Sequence, residues 1–169
     1  TDPGLADARY ALARLLDEAG EHAARTEHDL AVLRLDAAAH RRAGLGGRRD
    51  LALIEEVAAE VLDRLPEPFA SRLHDVPIVL EPRPGEAIVA EGFDPRAFGL
   101  FEGPDDHGRR RIDGIDPRPT RIVVFFANLL DAFGRDDEDL REQIEITLLH
   151  EIGHYFGLDE DQVDALGLR

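Results

Sequence analysis

The residues from His150 to His154 carry side chains that can perform metal chemistry. They read His-Glu-Ile-Gly-His, and positions four apart on an α-helix differ by about 40° of rotation, so the two histidines project from one face. Two imidazoles at this spacing can bind one zinc ion (Zn²⁺). Glu151 lies about 100° round the helix from His150, where it can accept a proton from a water molecule at the metal. The pattern therefore predicts a zinc-dependent hydrolytic site with Glu151 as its general base.

A third ligand is expected beyond the second histidine, because a catalytic zinc usually has three protein ligands and a water molecule. The chain contains no cysteine, so this ligand must be a histidine, an aspartate or a glutamate. Gly157 predicts the end of the helix and allows the chain to turn back towards the metal. The spacing does not choose among the acidic residues that follow, which are Asp159, Glu160, Asp161 and Asp164.

A long C-terminal helix must hold these residues, and its apolar pattern predicts their surroundings. The pattern indicates a helix over residues 137–156. Its apolar side chains fall within an arc of roughly 140° that should face the core. They are Ile144, Leu148, Leu149, Ile152, Tyr155 and Phe156. The histidines lie off this arc, so we expect them to face a cleft, and we expect Tyr155 to belong to the core.

The remaining pattern predicts an α+β fold, in which a small sheet packs against helices. Three further helices are expected, over residues 6–19, over residues 23–39, and from an N-cap at Asp50 to Pro66. Extended segments are expected at residues 76–80, 98–102 and 121–127, and the prolines around the first of them are typical of an edge strand. The rest of the segment 82–119 is rich in proline, glycine and aspartate, so it should be mostly loop.

A glycine-rich segment marks the clearest internal boundary of the chain. Residues 44–47 read Gly-Leu-Gly-Gly, which breaks the helical pattern on both sides. We therefore predict two domains, a helical hairpin over residues 1–46 and a second domain over residues 47–169 that contains the metal site.

Composition and charge exclude some classes of function. The net charge of −16 over 169 residues argues against nucleic-acid binding, which needs a basic surface. No stretch approaches the roughly 18–20 uncharged apolar residues that cross a bilayer, and the start of the chain does not resemble a signal peptide. We therefore expect neither nucleic acid nor a membrane as a partner. We expect a cytoplasmic location, with which the absence of cysteine agrees.

The segment from His150 to Glu160 resembles the extended zincin pattern, in which His-Glu-x-x-His is followed by glycine and by a third ligand ten residues after the first histidine. The chain resembles the small bacterial zincin-like metallopeptidases, or minimal zincins, over about residues 51–166. The resemblance implies that His150 and His154 bind zinc and that Glu151 is the base. Glu160 occupies the third-ligand position. Because that family more often has aspartate there, Asp159 is the alternative.

The resemblance also implies an activity, the hydrolysis of a peptide or protein substrate by a zinc-dependent peptidase. In zincins generally the substrate backbone lies along an edge strand above the zinc-binding helix. By analogy residues 98–102 would bind an extended peptide, although they are equally compatible with an ordinary edge segment. The alternative function is a peptide- or protein-binding adaptor with a structural or catalytically idle zinc site. Glu151 favours the enzyme, because a structural site needs no base.

The N-terminal residues resemble a tetratricopeptide repeat over its full period of about 34 residues. The similar positions are Asp2-Pro3, Ala8, Tyr10, Leu12-Ala13, Gly20-Glu21 and Leu33-Arg34-Leu35-Asp36. Arg25 departs from the repeat, which usually has a small residue there. A single repeat cannot bury both of its faces, so the resemblance implies packing against the third helix or against further repeats. We expect a protein partner to bind these helices, and an unrelated helical hairpin is the alternative.

Overall fold

The structure, a computed structural model, describes residues 3–67, 69–103 and 120–158. Within these ranges the helices are α1 (Pro3–Glu18), α2 (His22–Ala43), α3 (Arg48–Arg64), α4 (Phe69–Leu73), α5 (Glu86–Ala90), α6 (Phe126–Phe133) and α7 (Asp137–Tyr155). The strands are β1 (Ile78–Glu81), β2 (Gly99–Glu102) and β3 (Arg121–Phe125). None of these helices is long and apolar enough to cross a membrane. The described part of the chain is therefore rich in helix, with one small sheet.

The sheet places β3 between the other two strands, in the order β1–β3–β2. β3 runs parallel to β1 and antiparallel to β2. Its residues Ile122, Val123 and Val124 are all buried, which suits β-branched side chains in a strand that is covered on both faces. β1 forms one edge, as predicted for residues 76–80, and it begins two residues later than expected. β2 forms the opposite edge among the described strands.

The prediction that the last strand extends through Ala127 is wrong. β3 ends at Phe125, and Phe126 is the first residue of α6. The chain is apolar from Ile122 onwards, and a short apolar run has the same composition in a buried strand and in a buried helix. The helical conformation lets Leu129 and Leu130 enter the core together.

Two short helices, α4 and α5, have no counterpart in the sequence prediction. α5 lies in the segment that was expected to be mostly loop, and residues 104–119 of that segment lie outside the described residues. Each of these helices has five residues, which is too few for a 3.6-residue periodicity to appear in the sequence.

Helix α3 begins at Arg48, so the prediction of Asp50 as its N-cap is wrong. Gly47 is the N-cap, and Asp50 is the third residue of the helix. The Asp50 carboxylate accepts a hydrogen bond from the Gly47 amide at 3.0 Å. A carboxylate at this position reaches back to an amide just outside the helix, as in a capping box. Asp50 therefore does stabilise the start of α3, but from inside the helix.

Helix α7 packs against α3 and against strands β2 and β3. Its predicted apolar face is confirmed, because five of its six residues are buried and Leu149 is partly buried. The partners on α3 are Ile54, Val57 and Val61, which are also buried. Each large apolar side chain in such a core contributes roughly 1.5–3 kcal/mol. The core therefore fixes α7 on the side opposite its histidines.

The N-terminal helices α1 and α2 are confirmed, although α1 ends one residue earlier than predicted, at Glu18, and α2 extends to Ala43. They pack against each other, and α2 also packs against α5. The helix pair therefore contacts the part of the chain that was assigned to the second domain. The domain division at residue 46 and the likeness to a tetratricopeptide repeat stay predictions.

Candidate metal centre

Helix α7 carries the proposed metal-binding residues, and its two ends explain why the helix covers this segment. Asp136 is the N-cap, and its carboxylate accepts hydrogen bonds from the amides of Glu138 (2.8 Å) and Asp139 (3.2 Å). Such a cap typically stabilises a helix by about 1 kcal/mol. At the other end Gly157 has a φ of +72°, the left-handed conformation in which many helices end. The motif therefore lies in the last turns of a helix that is stabilised at both ends.

The imidazoles of His150 and His154 converge on one point. Their Nε2 atoms lie 2.9 Å apart, and the two rings are perpendicular, with centroids separated by 4.5 Å. Two imidazole nitrogens this close suit a shared metal ion, because each zinc–nitrogen bond is about 2.0–2.1 Å long. The donor pair therefore fits zinc, and the four-residue spacing correctly predicted the convergence.

Glu151 lies beside this pair and is largely buried, with 8% of its surface exposed. It lines the same cavity as the two histidines. A general base must lie within hydrogen-bond reach of the proton that it accepts. A carboxylate on the wall of the cavity that His150 and His154 also line meets this requirement for a water molecule in the cavity.

The cavity in front of the histidines has a volume of about 570 Å³, within the usual range for ligand sites. α7 forms one wall, to which Gln143, Ile146 and Thr147 contribute in addition to the motif. The facing wall is mainly apolar and consists of Phe93, Ala97, Phe98, Gly99, Leu100 and Phe101. The site therefore combines two imidazoles and a carboxylate on one side with an apolar surface on the other.

Gly99, the first residue of β2, brings the sheet close to Glu151. A Cβ atom at Gly99 would lie 2.8 Å from both Cγ and Oε1 of Glu151 and 2.9 Å from Cγ2 of Thr147. Thr147 is itself held by a hydrogen bond from its hydroxyl to the carbonyl of Gln143, at 2.7 Å. The missing side chain at Gly99 therefore leaves the space that the Glu151 carboxylate occupies.

The candidates for the third ligand lie outside the described residues. They are Asp159, Glu160, Asp161 and Asp164. Within residues 3–158, as far as these are described, no three His, Asp or Glu side chains are grouped as a metal site requires. The described part of the centre is therefore the pair of histidines with Glu151, and the choice of Glu160 stays a prediction.

Two other described histidines, His40 and His28, lie beside charged side chains. His40 is buried, with Nδ1 at 3.4 Å from the Arg83 guanidinium and Nε2 at 3.6 Å from the Asp131 carboxylate. Burial lowers the pKa of His40, because the charged form is poorly solvated there. His28 lies on α2 with its Nδ1 3.4 Å from the Arg9 guanidinium. Neither residue lines the cavity in front of α7.

Tyr155 belongs to the core, as predicted, although it follows the second histidine directly. Its side chain is 1% exposed, and its hydroxyl donates a hydrogen bond to the carbonyl of Arg72 at 3.1 Å. The hydroxyl therefore links α7 to α4 within the core.

Several residues of the site were not identified from the sequence. Thr147 lies four residues before Glu151, so helical spacing places it beside the base, but its type suggested no role. Gly99 begins an extended segment, where a glycine often marks close approach of another element, and that signal was available. Phe93 gave no signal, because only tertiary packing brings it opposite α7.

Comparison with protein families agrees with this geometry. Residues 73–168, more than half of the chain, match the family model for zincin-like metallopeptidases. The match begins at residue 73, whereas the resemblance noted in the sequence begins at about residue 51. The matched range includes all three strands and α7. No curated protein matches the sequence. The extent of the family match shows that this chain belongs to the zincin-like metallopeptidases.

Proposed function

We propose that this protein is a zinc-dependent peptidase in which His150 and His154 bind the metal and Glu151 is the general base. The observation that carries the proposal is the convergence of the two imidazoles at 2.9 Å beside a largely buried carboxylate. All three side chains line one cavity, in a chain that belongs to a metallopeptidase family. A carboxylate that can act as a base is needed for hydrolysis and not for a structural metal site.

Glu151 performs the proton transfers in the proposed reaction. Zinc held by the histidines would polarise the scissile carbonyl and lower the pKa of the attacking water. The Glu151 carboxylate accepts a proton from that water, which then attacks the carbonyl carbon. The protonated carboxyl returns the proton to the leaving amine nitrogen, so the base is regenerated when the peptide bond breaks.

Glu160 is the proposed third ligand, and Asp159 is the alternative. The proposal rests on the position of Glu160 ten residues after His150 and on its carboxylate, which is a suitable zinc ligand. The left-handed conformation of Gly157 supports it, because such a glycine changes the direction of the chain at a helix end.

The metal site predicts the zinc content of single variants. Elemental analysis of the purified wild-type protein should give about one zinc per chain. The His154→Ala variant should lose this zinc, because one imidazole and one carboxylate hold the ion weakly. Glu160→Gln should bind zinc at least about tenfold more weakly than the wild type, while Asp159→Asn should retain wild-type affinity.

The same measurement separates the possible outcomes. Loss of zinc in Asp159→Asn, with full content in Glu160→Gln, would transfer the third-ligand role to Asp159. A wild-type protein that takes up no zinc when zinc is supplied would contradict the peptidase proposal as a whole.

Gly99 gives a second prediction, which concerns catalysis rather than metal binding. In Gly99→Ala the added methyl group must displace the Glu151 side chain, and misplacing a catalytic group by about 1 Å can lower the rate about 100-fold. We expect kcat for peptide cleavage to fall at least about tenfold, with an unchanged zinc content. Gly85→Ala is the matched control, because a Cβ atom there meets no atom within 4 Å. Equal kcat values for the two variants would show that Gly99 has no part in placing the base.

The substrate proposed for this site is an extended peptide that pairs with the outer edge of β2. β2 lies at the edge of the described sheet, and its first residue contacts Glu151. Backbone pairing at such an edge binds peptides with limited dependence on sequence. The apolar side chains beside the strand would then provide the selective contacts.

A second candidate function is an adaptor that binds a protein partner through the N-terminal helices. Three leucines of α1 favour it, because Leu5, Leu12 and Leu15 have exposed fractions of 44%, 41% and 62%. Zinc-loaded protein that binds peptides without cleaving them would support the adaptor over the peptidase.

Three expectations from the sequence stay predictions. They are the cytoplasmic location, the repeat-like N-terminus and the absence of nucleic-acid or membrane partners.

A further inference from the structure

The segment of residues 92–98, here called the rim segment, connects α5 to β2. Its residues Phe93, Ala97 and Phe98 line the cavity in front of the histidines. Charged side chains of α1 and α2 contact this segment at several points. The N-terminal helices therefore touch the wall of the candidate active site, although they carry none of its reacting groups.

Asp94 connects the rim segment to α1. Its Oδ2 atom accepts hydrogen bonds from the Tyr10 hydroxyl at 2.6 Å and from the Arg14 guanidinium at 3.0 Å, both on α1. Its Oδ1 atom accepts a hydrogen bond from the backbone amide of Arg96 at 2.8 Å. The carboxylate therefore joins α1 to the turn that precedes the cavity wall.

The aromatic ring of Tyr10 adds a second kind of contact, because it packs against the guanidinium groups of Arg14 and Arg96. The guanidinium carbons of Arg14 and Arg96 lie 4.8 Å and 4.9 Å from the centre of its ring, which is the range of a cation–π contact. Burial, together with the hydrogen bond to Asp94, raises the pKa of Tyr10 to about 12. The hydroxyl therefore stays protonated and continues to donate to Asp94 near neutral pH.

Both ends of the rim segment have further contacts to the helix pair. Near the C-terminal end, Arg96 donates to Asp36 of α2 at 2.8 Å and to Asp7 of α1 at 2.9 Å. At the N-terminal end, the guanidinium of Arg25 donates to the backbone carbonyl of Gly92. Gly92 has a φ of +105°, a conformation that is strained for other residues. The contacts therefore fix backbone as well as side chains.

A buried carboxylate on α2 orients the arginines that make these contacts. Asp29 is completely buried and accepts two hydrogen bonds from Arg14, at 2.9 Å and 3.0 Å, and one from Arg25, at 2.9 Å. Charge-assisted bonds of this kind hold a guanidinium plane in one orientation. Arg14 and Arg25 therefore approach the rim segment from fixed positions.

The core holds the same segment from its other side. The side-chain amide of Asn128 on α6 donates to the carbonyls of Pro95 at 3.1 Å and Ala97 at 2.8 Å. The carbonyl of Phe98 accepts a hydrogen bond from the amide of Phe125 at 2.8 Å. The next residue is Gly99, which lies against Glu151. The position of the rim segment therefore determines the distance between the two walls of the cavity.

We infer that the N-terminal helix pair positions the wall of the substrate cavity, with Asp94 as the positioning residue through which α1 acts. The helices are then part of the substrate-binding unit, whatever partner their outer surface binds. The kinetic consequence rests on the proposed peptidase function, whereas the structural consequence does not.

The test is hydrogen–deuterium exchange of the full, zinc-loaded chain, with Asp94→Asn compared to the wild type. The substitution keeps the shape of the side chain and removes the charge that Arg14 and Tyr10 contact. We expect peptides that cover residues 92–98 to exchange about tenfold faster, as the loss of charge-assisted hydrogen bonds would produce. Peptides from α7 should exchange at the wild-type rate. In peptide cleavage, KM should rise about tenfold, while kcat stays within about twofold.

Glu86→Gln is the matched control, because Glu86 also pairs with the helix pair, through Arg34, but both side chains are more than 60% exposed. It should change neither exchange nor kinetics. Tyr10→Phe removes only one hydrogen bond to Asp94, so it replaces Asp94→Asn in the test if that variant does not fold. It should accelerate exchange in the same segment.

Wild-type exchange of residues 92–98 in a folded variant would overturn the inference, as would a fall in kcat at unchanged KM. Faster exchange in a chain that cleaves no peptide would support the inference and contradict the peptidase proposal.

Discussion

Replacing Glu151 with glutamine is expected to lower kcat for peptide cleavage by about 10²–10⁴-fold, which is the usual contribution of a general base. The amide has nearly the same shape as the carboxylate, so it fits the space beside Gly99, but it cannot accept the proton of the attacking water. His150 and His154 are unchanged, so the zinc content should equal that of the wild type. The measurement pairs initial rates on a peptide library with elemental analysis of the same preparation.

Glu142→Gln is the control for this experiment, because Glu142 lies on the same helix and is exposed. Glu142→Gln should have the wild-type kcat. That result would show that the fall in kcat of Glu151→Gln does not come from the loss of one negative charge on α7. The zinc-loaded Glu151→Gln protein should still bind peptides, since the cavity walls are intact. Wild-type cleavage by Glu151→Gln would refute the proposed mechanism.

Replacing Asp29 with asparagine is expected to lower the free energy of unfolding by about 3 kcal/mol. The carboxylate is completely buried and compensates the charges of Arg14 and Arg25. Its loss leaves two guanidinium groups with less compensation, and removing one partner from a buried ion pair typically costs about 3–5 kcal/mol. We expect the lower end of that range, because Arg14 is one-third exposed and retains its contact with Asp94.

Urea unfolding monitored by circular dichroism would measure this loss as a lower midpoint with an unchanged slope. The comparison is Asp17→Asn, which removes a carboxylate that pairs with the same Arg25 but is 44% exposed. That variant should change the midpoint far less, because exposed ion pairs contribute little. Equal midpoints for Asp29→Asn and the wild type would show that the buried charges do not stabilise the fold.

The helix that carries His150 and His154 was the most predictable part of the molecule. Its apolar arc and the four-residue spacing of His150 and His154 are local properties of one helix, so the sequence contains them directly. The strands β1 and β2 were also located to within two residues, because proline and glycine bound them. In each case the residues that decide the structure are neighbours in sequence.

Features that depend on distant residues could not be predicted in the same way. Phe126 and Ala127 continue the apolar run of β3, so the sequence did not separate them from the strand. They begin a helix, α6, that packs against α3 and α7. Gly99 contacts Glu151 across 52 positions of sequence. Nothing in the sequence indicated what the acidic and basic residues of α1 and α2 contact, because their partners Asp94 and Arg96 lie 60 to 89 positions away. The role of the N-terminal helices was therefore hidden until the fold brought these groups together.

The two walls of the cavity come from separate parts of the chain, and this separation has a consequence for protein engineering. The reacting groups lie on α7, whereas Phe93, Ala97 and Leu100 belong to the facing wall and contribute no metal ligand. A combinatorial library at these three positions would alter the shape and polarity of the facing surface while keeping the chemistry constant. Under the proposed function, selection from such a library would redirect the cleavage preference, and the same division would let natural variants diverge in substrate without passing through an inactive form.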